Sequence, residues 1–126
     1  MSCELIWEQQ GFLFRYSGVA TDDDLRRVNI EVLDDPRFDS QTYQIADFSN
    51  ITKLEFSSEI IHWIAKSDSR AALRNPNIRV AVVGRQSLLL GLANMYRIYF
   101  DLNGGTWKQK QFAAMEQARA WLDDNA

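Results

Sequence analysis

Ile78-Arg79-Val80-Ala81-Val82-Val83 is a nearly continuous β-branched apolar run, introduced by Asn75-Pro76-Asn77 and followed by Gly84-Arg85-Gln86-Ser87. Such a run does not alternate between core and water. It reads as a central strand covered on both faces, the habit of parallel sheets whose crossovers lay helices over them. The flanks agree. Upstream, Ser57 or Ser58 opens a helix carrying Ile60, Ile61, Ile64, Ala71 and Ala72. Asn75-Pro76 closes that helix, because a residue before proline is steered away from helical backbone. Downstream, a third helix of the chain runs from Leu88 to Leu102 and ends at Asn103-Gly104-Gly105, where glycine accommodates the helix exit.

Outward from this unit, Tyr43-Gln44-Ile45-Ala46-Asp47-Phe48 reads as a strand, followed by an irregular stretch through Phe56. Before it, Thr21 and the run Asp22, Asp23, Asp24 start a helix. Thr21 caps it, Asp24 answers as in a capping box, and the carboxylates sit at the positive helix end. Leu25, Val28 and Val32 recur at helical spacing until Asp35-Pro36. Consecutive carboxylates fan out around a helix axis, so this acidic run is helix-start charge and not a metal cluster. The chain opens as a hairpin: Leu5-Ile6-Trp7, a turn at Gln9-Gln10-Gly11, then Phe12, Phe14 and Tyr16 alternating with Leu13, Arg15 and Ser17. That period belongs to a half-buried strand. At the far end, Trp107 to Phe112 reads as a last strand whose Lys108, Gln109, Lys110 and Gln111 protect an exposed edge. A closing helix, Ala114 to Leu122, places Met115, Ala118, Trp121 and Leu122 on one face. The order is therefore ββαβαβαβα: one layered α/β domain over residues 1–126, with no internal repeat or linker. Its sheet is expected to be mixed and mostly parallel, with right-handed crossovers and an antiparallel hairpin strand at the start.

Over nearly the whole chain this order resembles the STAS (anti-sigma-factor-antagonist) domain and the related CRAL-TRIO-like lipid-transfer fold. The likeness is carried by Gly11-Phe12-Leu13-Phe14-Arg15-Tyr16-Ser17-Gly18, Asp34-Asp35-Pro36-Arg37-Phe38-Asp39, Tyr43 to Phe48, Asn75 to Val83 and Ala118-Arg119-Ala120-Trp121-Leu122. These segments look like a group of short bacterial STAS-like proteins. None is a catalytic signature, and the resemblance implies a non-enzymatic interaction or regulatory module. Anti-sigma-factor antagonists carry a phosphorylatable serine where the loop after the third strand meets the second helix, in an Asp-Ser-Ser-Gly-like motif. The corresponding stretch here is Glu55-Phe56-Ser57-Ser58-Glu59, with Glu in place of Asp, a phenylalanine interposed and the glycine missing. Ser57 and Ser58 are thus candidate phosphorylation positions, with helix capping as the competing role. A phosphate there meets a favourable helix dipole, while Glu55 and Glu59 repel it.

Composition narrows the remaining classes. The 126 residues are 46% hydrophobic and 25% charged, with a net charge of −3; without a broad basic field, nucleic acid is not an expected partner. Cys3 is the only cysteine, so neither an internal disulfide nor a cysteine zinc site can form. Met1-Ser2-Cys3-Glu4 lacks the start of a secretory signal, no apolar run reaches transmembrane length, and a cytoplasmic location is expected. His62, the only histidine, lies between Ile61 and Trp63 with no motif for zinc or catalysis around it. There is no Gly-X-Gly-X-X-Gly and no phosphate-loop lysine, so no cofactor is expected and no enzyme activity either. Two constellations remain. Asp47, Arg85 and Ser87 fall at carboxyl ends of strands, where polar ligands or anions bind in α/β sheets. On the helix from Leu88, the residues Asn94, Arg97 and Asp101 form one narrow polar stripe, and apolar residues cover far more than the ~100° a surface helix needs. Neighbouring helices, a homodimer or protein partner, or a small apolar ligand held against the second helix would account for the surplus. The residues carrying that surface are Trp63, Leu92, Met95, Tyr96, Tyr99 and Phe100.

Overall fold

The computed structural model describes residues 2–124. Along the chain lie β1 (Cys3–Trp7), β2 (Gly11–Thr21), α1 (Asp22–Asp34), a 3-10 turn (Pro36–Ser40), β3 (Tyr43–Glu55), α2 (Ser58–Arg74), β4 (Arg79–Val83), α3 (Ser87–Leu102), β5 (Lys108–Phe112) and α4 (Met115–Asp124). The five strands form one sheet in sequential order. β1 is antiparallel to β2, and every later pairing is parallel. This is the order and strand sense read from the sequence.

Each crossover steps the same way across the sheet, so a constant right hand puts α1, α2 and α3 on one face. Alternate strand residues follow suit. Phe12, Phe14 and Tyr16 of β2, Ala46 and Phe48 of β3, and Val80 and Val82 of β4 share a core with Val28, Val32, Ala65, Leu89 and Phe100 from the helices. Leu13, Ile45, Ala81 and Val83 point the other way, onto Ala118 and Leu122 of α4. β4 is covered on both sides, as its composition demands. The first half of β2 is covered too: Leu13 is buried under the α4 side, while Arg15 and Ser17 of the same alternating set are exposed.

β3 departs from the sequence reading. It does not end at Phe48 in an irregular stretch; it pairs with β2 as far as Thr21 opposite Glu55, through two register shifts, between Arg15 and Ser17 and between Gly18 and Val19. Gly18 adopts φ 63° there, a conformation glycine takes without steric cost. β4 stops opposite Asp47, so residues 49–55 have one strand neighbour and are mostly exposed. An exposed ribbon needs no apolar alternation, which is why its polar composition reads as a loop.

The helix starts follow their sequence signals. Thr21 Oγ1 accepts from the Asp24 amide at 3.4 Å while the Asp24 carboxylate accepts from the Thr21 amide at 3.1 Å, a complete capping box. On the opposite face, Arg119 of α4 donates to both carboxylate oxygens of Glu8, at 2.6 and 2.8 Å. This bidentate pair holds the Glu8 carboxyl below its ordinary value. At the amino-end edge, Asn75 is buried and joins three segments. Its Nδ2 donates to the carbonyls of Phe38 (2.8 Å) and Gln41 (2.9 Å), and its own carbonyl accepts from Trp107 Nε1 at 2.8 Å. Replacing Asn75 by Ala takes the side-chain donor from both carbonyls and leaves that of Phe38 only the Gln41 amide, at 3.2 Å. The expected loss is about 2–4 kcal/mol of unfolding free energy in urea titrations, against under 0.5 kcal/mol for exposed Lys108→Ala.

Candidate functional site

The helix layer and the sheet do not close completely. A cavity of about 80 Å³ lies between them, walled by Phe14, Ala46, Phe48, Val80 and Val82 from the strands and by Leu25, Ile61, Ile64, Leu89, Leu92 and Ala93 from the helices. Four further side chains on its wall carry polar groups: Tyr16, Gln44, Asp68 and Tyr96. Asp68 is 2% exposed. Its Oδ2 accepts from the Tyr96 hydroxyl at 2.6 Å and its Oδ1 from Asn29 Nδ2 at 3.0 Å, while Ser67 Oγ donates to Asn29 Oδ1 at 3.0 Å. Hydrogen bonds replace a counter-cation, and burial still pushes the Asp68 carboxyl up to about 6. Gln44 is 9% exposed, and its side chain makes no hydrogen bond among the described residues. Sequence reasoning missed both. The signal for Asp68 was available: it falls four residues after Ile64 and seven after Ile61, on the apolar stripe of α2.

Of the residues singled out from the sequence, Leu92 and Tyr96 line this cavity. Trp63 does not. It sits over a separate outer groove between α1 and α2, about 360 Å³, with Leu33, Lys66, Ser67, Arg70, Ala71 and Arg74, and the Arg26 guanidinium lies 5.7 Å from its ring centre. Phe100 is a core residue, 2% exposed between Tyr96 and Trp107, and is not available to a partner. Met95 and Tyr99 are half-buried in the α2–α3 seam, where His62 packs on the Tyr99 ring at 3.6 Å. The polar trio at the carboxyl ends of the strands has unlike surroundings. Asp47 is buried and accepts from the Ser49 amide at 2.9 Å, Arg85 is exposed, and Ser87 is the first residue of α3. No hydrogen bond or ion pair joins the three among the described residues.

The two serines have different surroundings. Ser57 is the N-cap of α2: its Oγ accepts from the Ile60 amide at 3.1 Å and donates to Asp22 Oδ2 at 2.5 Å, and its amide donates to Asp22 Oδ1 at 2.8 Å. Asp22 thereby ties the start of α1 to the start of α2. Ser58 is exposed on the first turn of α2, and its hydroxyl makes no hydrogen bond among the described residues.

A sequential five-stranded sheet with an antiparallel first strand, three helices on one face and one on the other is a SpoIIAA-like fold. Solved structures of that fold match the chain over nearly its whole length. The anti-sigma factor antagonist SpoIIAA in its unphosphorylated form superposes with a TM-score of 0.57 at 12% identity, covering 98% of this chain and 99% of that one. The phosphorylated form of SpoIIAA, a Bacillus cell fate determinant, gives 0.58 at 11%, covering 95% and 98%. An uncharacterized DUF3478-family protein from Shewanella loihica with a SpoIIAA-like fold gives 0.55 at 17%, covering 95% and 91%. No family model matches the chain, and no curated protein matches it by sequence. No helix among the described residues is long and apolar enough to cross a membrane.

The buried carboxyl of Asp68 sets a pH dependence. A raised folded-state value, about 6 against the ordinary 3.8, means that the folded chain binds the proton more tightly than the unfolded one. Its contribution is most favourable below the unfolded value and is lost as pH rises to 6 and beyond. Asp68→Asn removes this ionisation. Measured by urea unfolding, the variant should gain on the wild type by about 2 kcal/mol between pH 4 and pH 7, whatever its constant offset; parallel curves would refute the assignment.

Proposed function

We propose that the chain is a non-enzymatic interaction module of the STAS type, modified at Ser58 and meeting a second copy of itself through α3. The observation that carries the first part is the free, exposed hydroxyl of Ser58 beside the fully engaged hydroxyl of Ser57. The fold supports it, since SpoIIAA exists in unphosphorylated and phosphorylated forms. A phosphate on Ser58 faces the positive end of α2 without displacing the cap. Negative charge is already gathered there by Asp22, Glu55 and Glu59, so the added charge alters what docks and leaves the fold intact. On Ser57 the same group would be pressed against the Asp22 carboxylate.

The second part rests on the outer side of α3. Leu88, Gly91, Met95, Ile98 and Leu102 follow one another at alternating spacings of three and four, the seam of a helix pair. Leu88 is 55%, Ile98 46% and Leu102 77% exposed. Gly91 has no internal reason to be glycine. A Cβ built on it meets nothing within 4 Å, and glycine inside a helix costs about 1 kcal/mol relative to alanine. Open space at that point suits the close approach of another helix. Met95, half-buried against α2, borders the middle of the stripe; in an antiparallel two-fold pair, Leu88 meets the second copy's Leu102 and Gly91 meets its Ile98.

Two measurements test the reading. Phosphopeptide mapping of protein from its native cells should place phosphate on Ser58, and Ser58→Asp should lose a partner that wild type and Ser58→Ala retain; identical behaviour without any phosphopeptide ends the idea. Ser57→Ala should instead lower stability by about 1 kcal/mol, the worth of a cap. Sedimentation should find wild type dimeric and Ile98→Asp monomeric with unchanged circular dichroism. A wild type that is monomeric at millimolar concentration would remove the α3 contact.

A further inference from the structure

We infer that the cavity beneath α2 and α3 binds a small neutral molecule with an apolar body and an amide or hydroxyl head, the head seated at Gln44 and Asp68. Gln44 occupies the middle of the sheet, paired across to Phe12 on one side and Val80 on the other, and it faces the helix layer together with Ala46 and Phe48. That position suits a valine or isoleucine. A glutamine there, 9% exposed and with no side-chain hydrogen bond to another described residue, puts an amide that can both donate and accept on an otherwise apolar wall. Asp68 breaks the rule of its own element in the same way, as an acid on the apolar stripe of α2 with no cation beside it. Both side chains open onto one cavity whose other walls are almost entirely hydrocarbon. A few polar groups converging in an apolar pocket is the arrangement by which small ligands are oriented.

Size and charge define the ligand. The cavity is about 80 Å³, roughly half the ~150 Å³ that accepts benzene, so the head and a short aliphatic group fit and a long tail does not. An anion is repelled by the Asp68 carboxylate, whose hydrogen bonds already come from Asn29 and Tyr96. A cation would lose its hydration to a hydrocarbon wall that returns little. Gln44 both donates and accepts, and each Asp68 oxygen keeps an unused lone pair. An amide or a hydroxyl matches that set.

The test titrates isotopically labelled protein with acetamide, propionamide and 2-propanol, with acetate and octanamide as controls, and follows the Gln44 side-chain NH₂ signals. The neutral short compounds should shift these signals saturably and the controls should not. Gln44→Met should raise the melting temperature by a few degrees while weakening binding, read on neighbouring backbone amides, by about tenfold or more. Ala93→Leu, which fills the cavity, should fold and bind nothing. The inference is overturned if no neutral compound saturates, if the variants bind like wild type, or if the Gln44 signals show cross-relaxation to water alone at saturating compound.

Discussion

Strands laid down in sequential order and crossed over with one hand have no choice of side, and that constraint shapes the rest of the molecule. Three helices must share one face of a five-stranded sheet, leaving the other to α4. The strand residues are graded to fit. β2 carries Phe12, Phe14 and Tyr16 toward the crowded face, and Tyr16 stacks on Phe48 with ring centres 4.5 Å apart. The centre of the sheet offers only Ala46, Val80 and Val82. Aromatic bulk also gathers at the amino-end edge, where Trp107 packs within about 6 Å of both Phe38 and Phe100. Large side chains at the margins and small ones beneath α2 and α3 leave the gap where the cavity lies. It is a consequence of where volume was placed, not of loose packing in general.

Much of this architecture was legible because local signals and global fold agree. The β-branched run of β4 announces a strand covered twice, the Thr21–Asp24 box marks a helix start, and Asn75-Pro76 marks a helix end. The failures are equally local in cause. Residues 49–55 read as a loop because a ribbon with one strand neighbour, touching the core only through Ile51 and Leu54, is under little pressure to alternate. The outward half of β2 misled in the opposite sense, since nothing in Leu13 announces that α4 returns from the far end of the chain to cover it. The apolar excess of α3 was visible, but its division was not. Leu89, Leu92 and Phe100 turn inward, while Leu88, Ile98 and Leu102 stay exposed, and that split depends on where α2 lies. Gln44 stood out in no way within a segment that read simply as a strand, because composition alone does not say which face of β3 the helices take.

Polar groups in this domain fall into two kinds. Glu8, Tyr43 and Arg119 form a closed set in which the fork of Arg119 meets both carboxylate oxygens and the Tyr43 hydroxyl donates to Glu8. Asn75 is likewise spent on Phe38, Gln41 and Trp107. These sets fasten α4 and the amino-end loops, and their polarity has a structural return. Gln44, Gly91 and the Ser58 hydroxyl return nothing of that sort. Each sits where propensity or burial argues for another residue, and each opens onto a cavity or onto solvent rather than onto a partner within the chain. Sequences that fold well are consistent across levels, so residues that break the local rule without an internal compensation point to constraints outside folding.

The same helix serves both proposed contacts, and the geometry of Tyr96 decides how far they are coupled. Its hydroxyl is fixed on Asp68 at 2.6 Å and its ring stacks on Phe100 at 5.7 Å, so α3 is located by a bond that reaches across to α2. Protonating Asp68 does not break that bond, because a hydroxyl donates or accepts as required and the other carboxyl oxygen still receives Asn29. What protonation changes is the charge on the cavity wall. The placement of α3, and with it the outer stripe from Leu88 to Leu102, is therefore insensitive to the ionisation that governs what the cavity admits. The two surfaces communicate only if a ligand is large enough to push Leu92 and Tyr96 outward, and a molecule matched to about 80 Å³ is not.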